Sequence, residues 1–254
     1  MNFLEINKLS VSYSECRVLN DVSLCLERGE TLGIAGESGC GKSTLAKALL
    51  GILPESAQAE GSIKYCGQEL VGMSEKGFSR LRGSEISMVF QDPSATLNPV
   101  RKIRHQFYDI FNTKRFKRAE ADREIIHFLN HVHLENPEQL LDKYPPELSG
   151  GMKQRIVIAM AICKQPELLI ADEPTSALDA SVRLQIIEEI MSLKSRLGFA
   201  MIYISHNLAE LGKVSDKIMV MKDGAVLEYG RADRLFSAPE HPYTKELLAA
   251  ANGE

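Results

Sequence analysis

What this chain lacks narrows its class before any motif is read. It has no strong charge of either sign. The formal net charge is −4 over 254 residues and the pI is near 5.9, so there is no general pull toward nucleic acid or an anionic membrane. It has no paired cysteines. Cys16, Cys25, Cys40, Cys66 and Cys163 are an odd set without C-x-x-C spacing, which points to the reduced thiols of a cytosol rather than to a disulfide framework or a zinc site. It has no apolar run of membrane length; the longest unbroken one, "IVIAMAIC", is far too short to span a bilayer. Its first residues, "MNFLEINKLS", place Glu5 and Lys8 where a secretory leader has an apolar core. Repeats and low-complexity linkers are also missing. Any membrane role is therefore expected to be borrowed from another chain.

What remains is an ordinary globular composition, 44% hydrophobic and 25% charged, with length for one large α/β domain or a domain with a subdomain. "FLEINKLSVSY" and "VLNDVSLCLERGE" read as strands bounded by turn residues. "TLGIAG", "ISMVF", "ELLIAD" and "AMIYIS" read as buried strands. "GSIKYCGQEL" reads as an edge strand or hairpin, and "KIMVMKDGAVLEYG" as a hairpin turning at Asp223-Gly224. Helical periodicity runs from Lys42 to Leu50, ended by Gly51 and Pro54, and recurs between 99 and 165, with "YPPELSGG" as an irregular break. Residues 180–197 give the clearest helix, with Val182, Ile186, Ile190 and Leu197 on one apolar face and Gly198 as its stop. "HPYTKELLAAA" reads as a short closing helix.

The chemistry begins at Gly36-Glu37-Ser38-Gly39-Cys40-Gly41-Lys42-Ser43-Thr44, which fits G-x-x-x-x-G-K-[ST] between a strand and a helix. Glycines let backbone N–H groups converge on phosphates without Cβ clashes. Lys42 supplies a positive point charge and Ser43 a hydroxyl for Mg²⁺, while the helix directs its positive end at the same place. The thiol of Cys40 lies among these groups. Asp172 and Glu173 close the apolar strand "LLIADE". There Asp172 suits the Mg²⁺ of a phosphate loop, and Glu173 is placed to act as general base on an attacking water.

"LSGGMKQR", residues 148–155, lies shortly before that strand. It resembles the signature of the ATP-binding cassette (ABC) ATPases, and the resemblance covers nearly the whole chain. In that family the signature caps the γ-phosphate of ATP held by a facing subunit, a task that falls here to Ser149, Gly150 and Gly151. Further positions resemble the family in order: Gln91 as the loop glutamine reaching Mg²⁺ and water, "SALD" at 176–179 as the loop coupling the two sites, His206 as the switch histidine beside the γ-phosphate, and Tyr13 as the ring stacked on adenine. Met152 stands where the signature usually has Gln, and Asn207 where an acid often follows the histidine.

The implied fold is the α/β P-loop NTPase fold of the ABC ATPases: a mixed sheet core, an antiparallel β subdomain and an inserted helical subdomain. The expected division is a catalytic core at 1–91 and 166–254 with helices at 92–165. The implied activity is ATP hydrolysis with ATP and Mg²⁺, coupled to transport at the cytoplasmic face of a membrane. The alternative is a soluble ABC ATPase acting on nucleic acid or ribosomes. Its support is the basic run Arg101, Lys102, Arg104, Lys114, Arg115, Lys117 and Arg118, which lacks interleaved aromatic residues and reads as a solvated face rather than a nucleic-acid site.

"QDPSATLNP" (91–99) and "HPYTKELLAA" (241–250) resemble the importers of peptides and nickel. That implies a second, different cassette as partner, two membrane permeases and an extracytoplasmic binding protein. Peptide cassettes of this group usually carry a cysteine-rich extension after the "HPYT" helix. No cysteine follows Cys163 here, so the resemblance places nickel or a metal chelate ahead of small peptides.

Overall fold

A computed structural model of the chain describes residues 3–14, 16–111 and 117–252. In chain order its elements are β1 (Leu4–Tyr13), β2 (Cys16–Leu26), β3 (Thr31–Ala35), α1 (Lys42–Leu49), β4 (Ala57–Tyr65), β5 (Gln68–Glu69), α2 (Glu75–Leu81), β6 (Ile86–Val89), α3 (Pro93–Thr96), α4 (Ile103–Phe111) and α5 (Arg118–His131). They continue with α6 (Pro137–Leu140), a 3₁₀ turn (Pro145–Glu147), α7 (Gly150–Ile162), β7 (Leu168–Asp172), α8 (Ala180–Leu197), β8 (Ala200–Ile204), α9 (Leu208–Val214), β9 (Lys217–Lys222), β10 (Ala225–Arg231), α10 (Ala232–Ser237) and α11 (Pro242–Asn252). The described residues fall into two compact units, one running up to Arg82 and again from Phe199, the other Gly83–Gly198.

The first unit holds an antiparallel sheet in the order β2-β1-β4-β5. Leu4, Ile6, Leu9 and Val11 of β1 and Leu19, Val22, Leu24 and Leu26 of β2 are all buried, as strands with one face on a core require. β4 reaches four residues further back than "GSIKYCGQEL", to Ala57, because β1 pairs with it as far as Tyr13↔Ala57. The same unit carries β3 parallel to both β8 and β9, with β10 returning antiparallel to β9. All five residues of β3 are buried, the mark of a parallel strand covered on both faces. The β9–β10 turn is Asp223-Gly224, both at positive φ (48° and 79°), the geometry that right-twisted strands need in a two-residue hairpin.

The second unit holds the parallel pair β6 and β7 and a set of helices. α8 spans the expected 180–197, begun by Asp179, whose carboxylate accepts the Val182 N–H at 3.0 Å, and stopped by Gly198. Its buried face is Ile186, Ile187, Glu189, Ile190 and Leu193; Val182 and Leu197 are half-buried rather than central. The shift follows from Arg155 of α7, which donates to Glu189 at 2.8–3.0 Å and draws that carboxylate into the packed side. Three members of the basic run are paired within this unit: Arg101 with Asp109, Lys102 with Asp142 at 3.0 Å, and Arg104 with Asp142 at 2.9 Å. Lys114 and Arg115 lie outside the described residues. Among the described residues no helix is long and apolar enough to cross a membrane.

Candidate functional site

The phosphate loop sits in the first unit, between the buried end of β3 and the start of α1. Its backbone follows from its glycines. Gly41, at φ 103°, is the residue before α1, and a Cβ there would stand 2.6 Å from Leu19. Gly36, at φ 148°, would press a Cβ to 2.3 Å from the Met221 carbonyl oxygen. Neither position admits another residue without moving its wall. Lys42 is 5% exposed. Its Nζ donates to the carbonyls of Gly36 (2.7 Å) and Glu37 (2.8 Å) and lies 3.7 Å from Cys40 Sγ. The loop thus folds around its own ammonium group. Cys40 is buried; Glu37, Ser38, Gly39 and Ser43 are exposed, and Thr44 is half-buried. The cradle fits a polyphosphate: no Cβ crowds its mouth at Gly39, the lysine lies within the ring, and the Ser43 hydroxyl stands on the first turn of α1 as a Mg²⁺ ligand of this kind must.

Support for the loop comes from the hairpin and the last helix. The Gly224 N–H donates to the Cys40 carbonyl at 3.2 Å, and the Asn20 N–H to the Gly224 carbonyl at 2.8 Å. Tyr243 of α11 donates its hydroxyl to Glu37 Oε1 at 3.0 Å. Burial first, then the Glu37 carboxylate, pushes that hydroxyl up to about 12, so it stays protonated as a donor. Nothing in the local sequence announces these ties, because the loop's partners lie far along the chain, on the β9–β10 turn and on α11.

His206 follows β8 and is exposed. The residues on each side of it are fixed by a carboxylate that the motif reading misses. Glu210, buried, accepts from Tyr203 (3.3 Å) and Ser205 (3.1 Å), and Ser205 accepts the Asn207 N–H at 3.0 Å. Asn207 caps α9 by accepting from Ala209 and Glu210 N–H. An asparagine does this as well as an aspartate, so its departure from the usual acid leaves the turn intact. Tyr13 is half-buried at the end of β1, opposite Cys16 and Ala57.

In the second unit β7 delivers Asp172, 7% exposed, and Glu173. Glu173 holds φ 46°, a left-handed conformation in which its own Cβ is unfavourable. Gln91, exposed, donates to Glu173 Oε2 at 3.0 Å. The loop glutamine and the carboxylate are therefore brought together. Strain of this kind is held only where the surrounding fold dictates it, and it gathers at functional positions.

Ser149 caps α7, its Oγ accepting from Met152 N–H at 3.3 Å. Ser149 and Gly150 are exposed at the positive end of this 13-residue helix, while Gly151 is half-buried. A Cβ on Gly151 would lie 3.1 Å from Val182 of α8, so the glycine lets the start of α7 lie close to that helix. Met152 takes part through its backbone, so its side chain leaves the cap unchanged. "SALD" ends in Asp179, whose carboxyl is held below the ordinary range by the Val182 N–H and then the Ser181 hydroxyl.

The comparisons with known proteins agree with this geometry. The sequence pattern described as "ABC transporter" matches residues 19–176. The oligopeptide transport ATP-binding protein OppD of Salmonella typhimurium is 41% identical over 97% of this chain and 75% of its own length. The dipeptide transport ATP-binding protein DppD of Escherichia coli is 41% identical over 98% and 78%. An uncharacterized ABC transporter ATP-binding protein of Escherichia coli, YejF, is 42% identical over 96% of this chain, which spans about half (48%) of that protein. Among solved structures, cbiO1 of Clostridium perfringens, part of the ABC transporter complex cbiONQ, superposes with a TM-score of 0.80 at 29% identity, covering 100% of this chain and 95% of that one. The dimeric cassette MJ0796, bound to ADP and Pi in a post-hydrolysis state, has the same TM-score of 0.80 at 23% identity over 90% and 98%, a likeness of fold. A loop shaped for phosphates, a strained glutamate held by a loop glutamine and these relatives lead to one conclusion: the chain belongs to the ABC transporter family, as one of its ATP-binding and ATP-hydrolysing cassettes.

Proposed function

We propose that this cassette drives the import of small peptides, hydrolysing ATP beside a second cassette and two membrane permeases supplied by an extracytoplasmic binding protein. The observation that carries the substrate class is the 41% identity to peptide-transport ATPases over nearly all of the chain. Peptides thereby take precedence over the nickel or metal chelate that the sequence alone placed first. The chain works as a peripheral subunit at the cytoplasmic face of the membrane.

The roles follow from the groups in place. Residues 36–44 hold the phosphates through backbone N–H groups, and Lys42 turns from the carbonyls of Gly36 and Glu37 to the phosphate oxygens. Ser43, Gln91 and Asp172 are the groups suited to hold Mg²⁺, which would neutralise charge on the phosphates. Glu173 takes the proton of the attacking water, which Gln91 orients. His206 senses the γ-phosphate, Tyr13 stacks on adenine, and Ser149, Gly150 and Gly151 close over the partner cassette's ATP. Closure and reopening of the two cassettes pass the motion to the permeases.

The test is deletion of the gene, followed by uptake of a toxic dipeptide and cellular nickel at limiting supply. Dipeptide resistance with normal nickel supports the proposal. Sensitivity to the dipeptide with lowered nickel would return the metal-chelate cargo to first place. Normal uptake of both would overturn both cargoes.

A further inference from the structure

The closing helix brings an aromatic hydroxyl to the phosphate loop, and the roles above leave it unused. "HPYT" can be decoded residue by residue. His241 precedes α11 and accepts the Tyr243 N–H through Nδ1 at 3.1 Å, as an N-cap does. Pro242 takes the first helical position, where a missing N–H does no harm. Glu228 of β10 accepts the N–H groups of Glu240 and His241, both at 3.0 Å, and so fixes where the helix starts. Tyr243 is thereby carried to the loop with 6% exposure. Its ring lies under the Lys222 ammonium, 4.4 Å from the centroid, and its hydroxyl reaches Glu37 at 3.0 Å.

Glu37 is an awkward residue for a phosphate cradle. A free carboxylate there would repel phosphate oxygens and compete with them for Lys42. In the structure its carboxylate is turned to Tyr243, while its backbone carbonyl receives Lys42. A neutral hydroxyl is the apt partner, since it satisfies the carboxylate without adding a second cation beside Lys42. We propose that Tyr243 is a positioning residue of the cradle: its hydroxyl holds the Glu37 carboxylate clear of the phosphates and keeps Lys42 available to them. The proposal rests on the reading of residues 36–44 as the nucleotide cradle.

The test is binding of a fluorescent ATP analogue, with Mg²⁺, to the full chain. Tyr243→Phe keeps the ring and its contact with Lys222 and should weaken binding about fivefold. Made in a Glu37→Gln background, the same change should have no effect, because an amide carries no charge to hold away. Glu37→Asp, a methylene too short to reach the hydroxyl, should weaken binding as Tyr243→Phe does. In the assembled transporter the loss should appear in KM for ATP with kcat unchanged. Equal binding by wild type and Tyr243→Phe, or an equal loss in both backgrounds, would reduce Tyr243 to packing and overturn the proposal. A wild-type chain that binds no nucleotide would instead bring down the cradle reading, and this proposal with it.

Discussion

The loop after β3 and the turn after β7 both place reactive groups at the end of a five-residue strand that is buried throughout. They accommodate a difficult backbone in opposite ways. The loop assigns its positive-φ positions to glycine, at Gly36, Gly39 and Gly41, and keeps its charged side chain on the relaxed first turn of α1. The turn puts Glu173, the base of the proposed mechanism, on the left-handed residue itself. Where backbone N–H groups do the work, a side chain can be dispensed with and glycine carries the conformation. Where the side chain is the reagent, glycine is excluded and the Cβ penalty is accepted.

The largest expected effect breaks the loop. Lys42→Ala removes the ammonium around which the ring closes and leaves the Gly36 and Glu37 carbonyls without it. Hydrolysis by the assembled transporter should fall by about a thousandfold, in the range seen when a preorganised electrostatic group is deleted. ATP binding should fall with it, as checked by equilibrium binding to the isolated chain. Retained binding would mean that the backbone alone holds the phosphates.

Next is Glu173→Gln. The amide keeps shape and its contact with Gln91 but cannot take a proton, so turnover should drop about a hundredfold or more while ATP binding persists. Single-turnover hydrolysis beside equilibrium binding separates the two variants: loop damage moves both readouts, turn damage only one. Turnover within a fewfold of wild type would remove the carboxylate from its assigned role.

The smallest effect tests the strain directly. Glu173→Gly and Glu173→Ala both delete the carboxylate, but only alanine keeps the unfavourable Cβ. The glycine variant should be the more stable by about 1 kcal/mol, read as a thermal midpoint higher by about 2–4 °C. Equal midpoints would mean that the turn relaxes once the side chain is gone.

These differences also explain what could be read from the sequence. The phosphate loop, the acids after "LLIA" and α8 between Asp179 and Gly198 are local in their physics: turn residues, caps and periodicity lie within a few positions of one another. α2, α9 and α10 are too short, at six or seven residues, for a 3.6-residue period to stand out, and pass unread. So do the Tyr243–Glu37 contact and the buried Glu210. The carboxylate in "NLAELGKV" has no local sign of burial, because its partners Tyr203 and Ser205 are brought against it by β8. The face of α8 was displaced for the same reason, since its centre is set by a charge on another helix.

The tie between Tyr243 and Glu37 joins residues 206 positions apart. At synthesis rates of about 5–20 residues per second, the second partner emerges on the order of 10–40 s after the first. Through that interval the nascent loop has its glycines and its lysine but neither the hairpin nor the closing helix against which they are shaped. Competence to hold ATP therefore waits until β9 and β10 have paired and α11 has reached the loop. A ribosome-bound fragment ending before β9 should ignore the nucleotide that the full chain binds, and ATP capture becomes a signal that the β9–β10 hairpin and α11 have been made and packed against the loop.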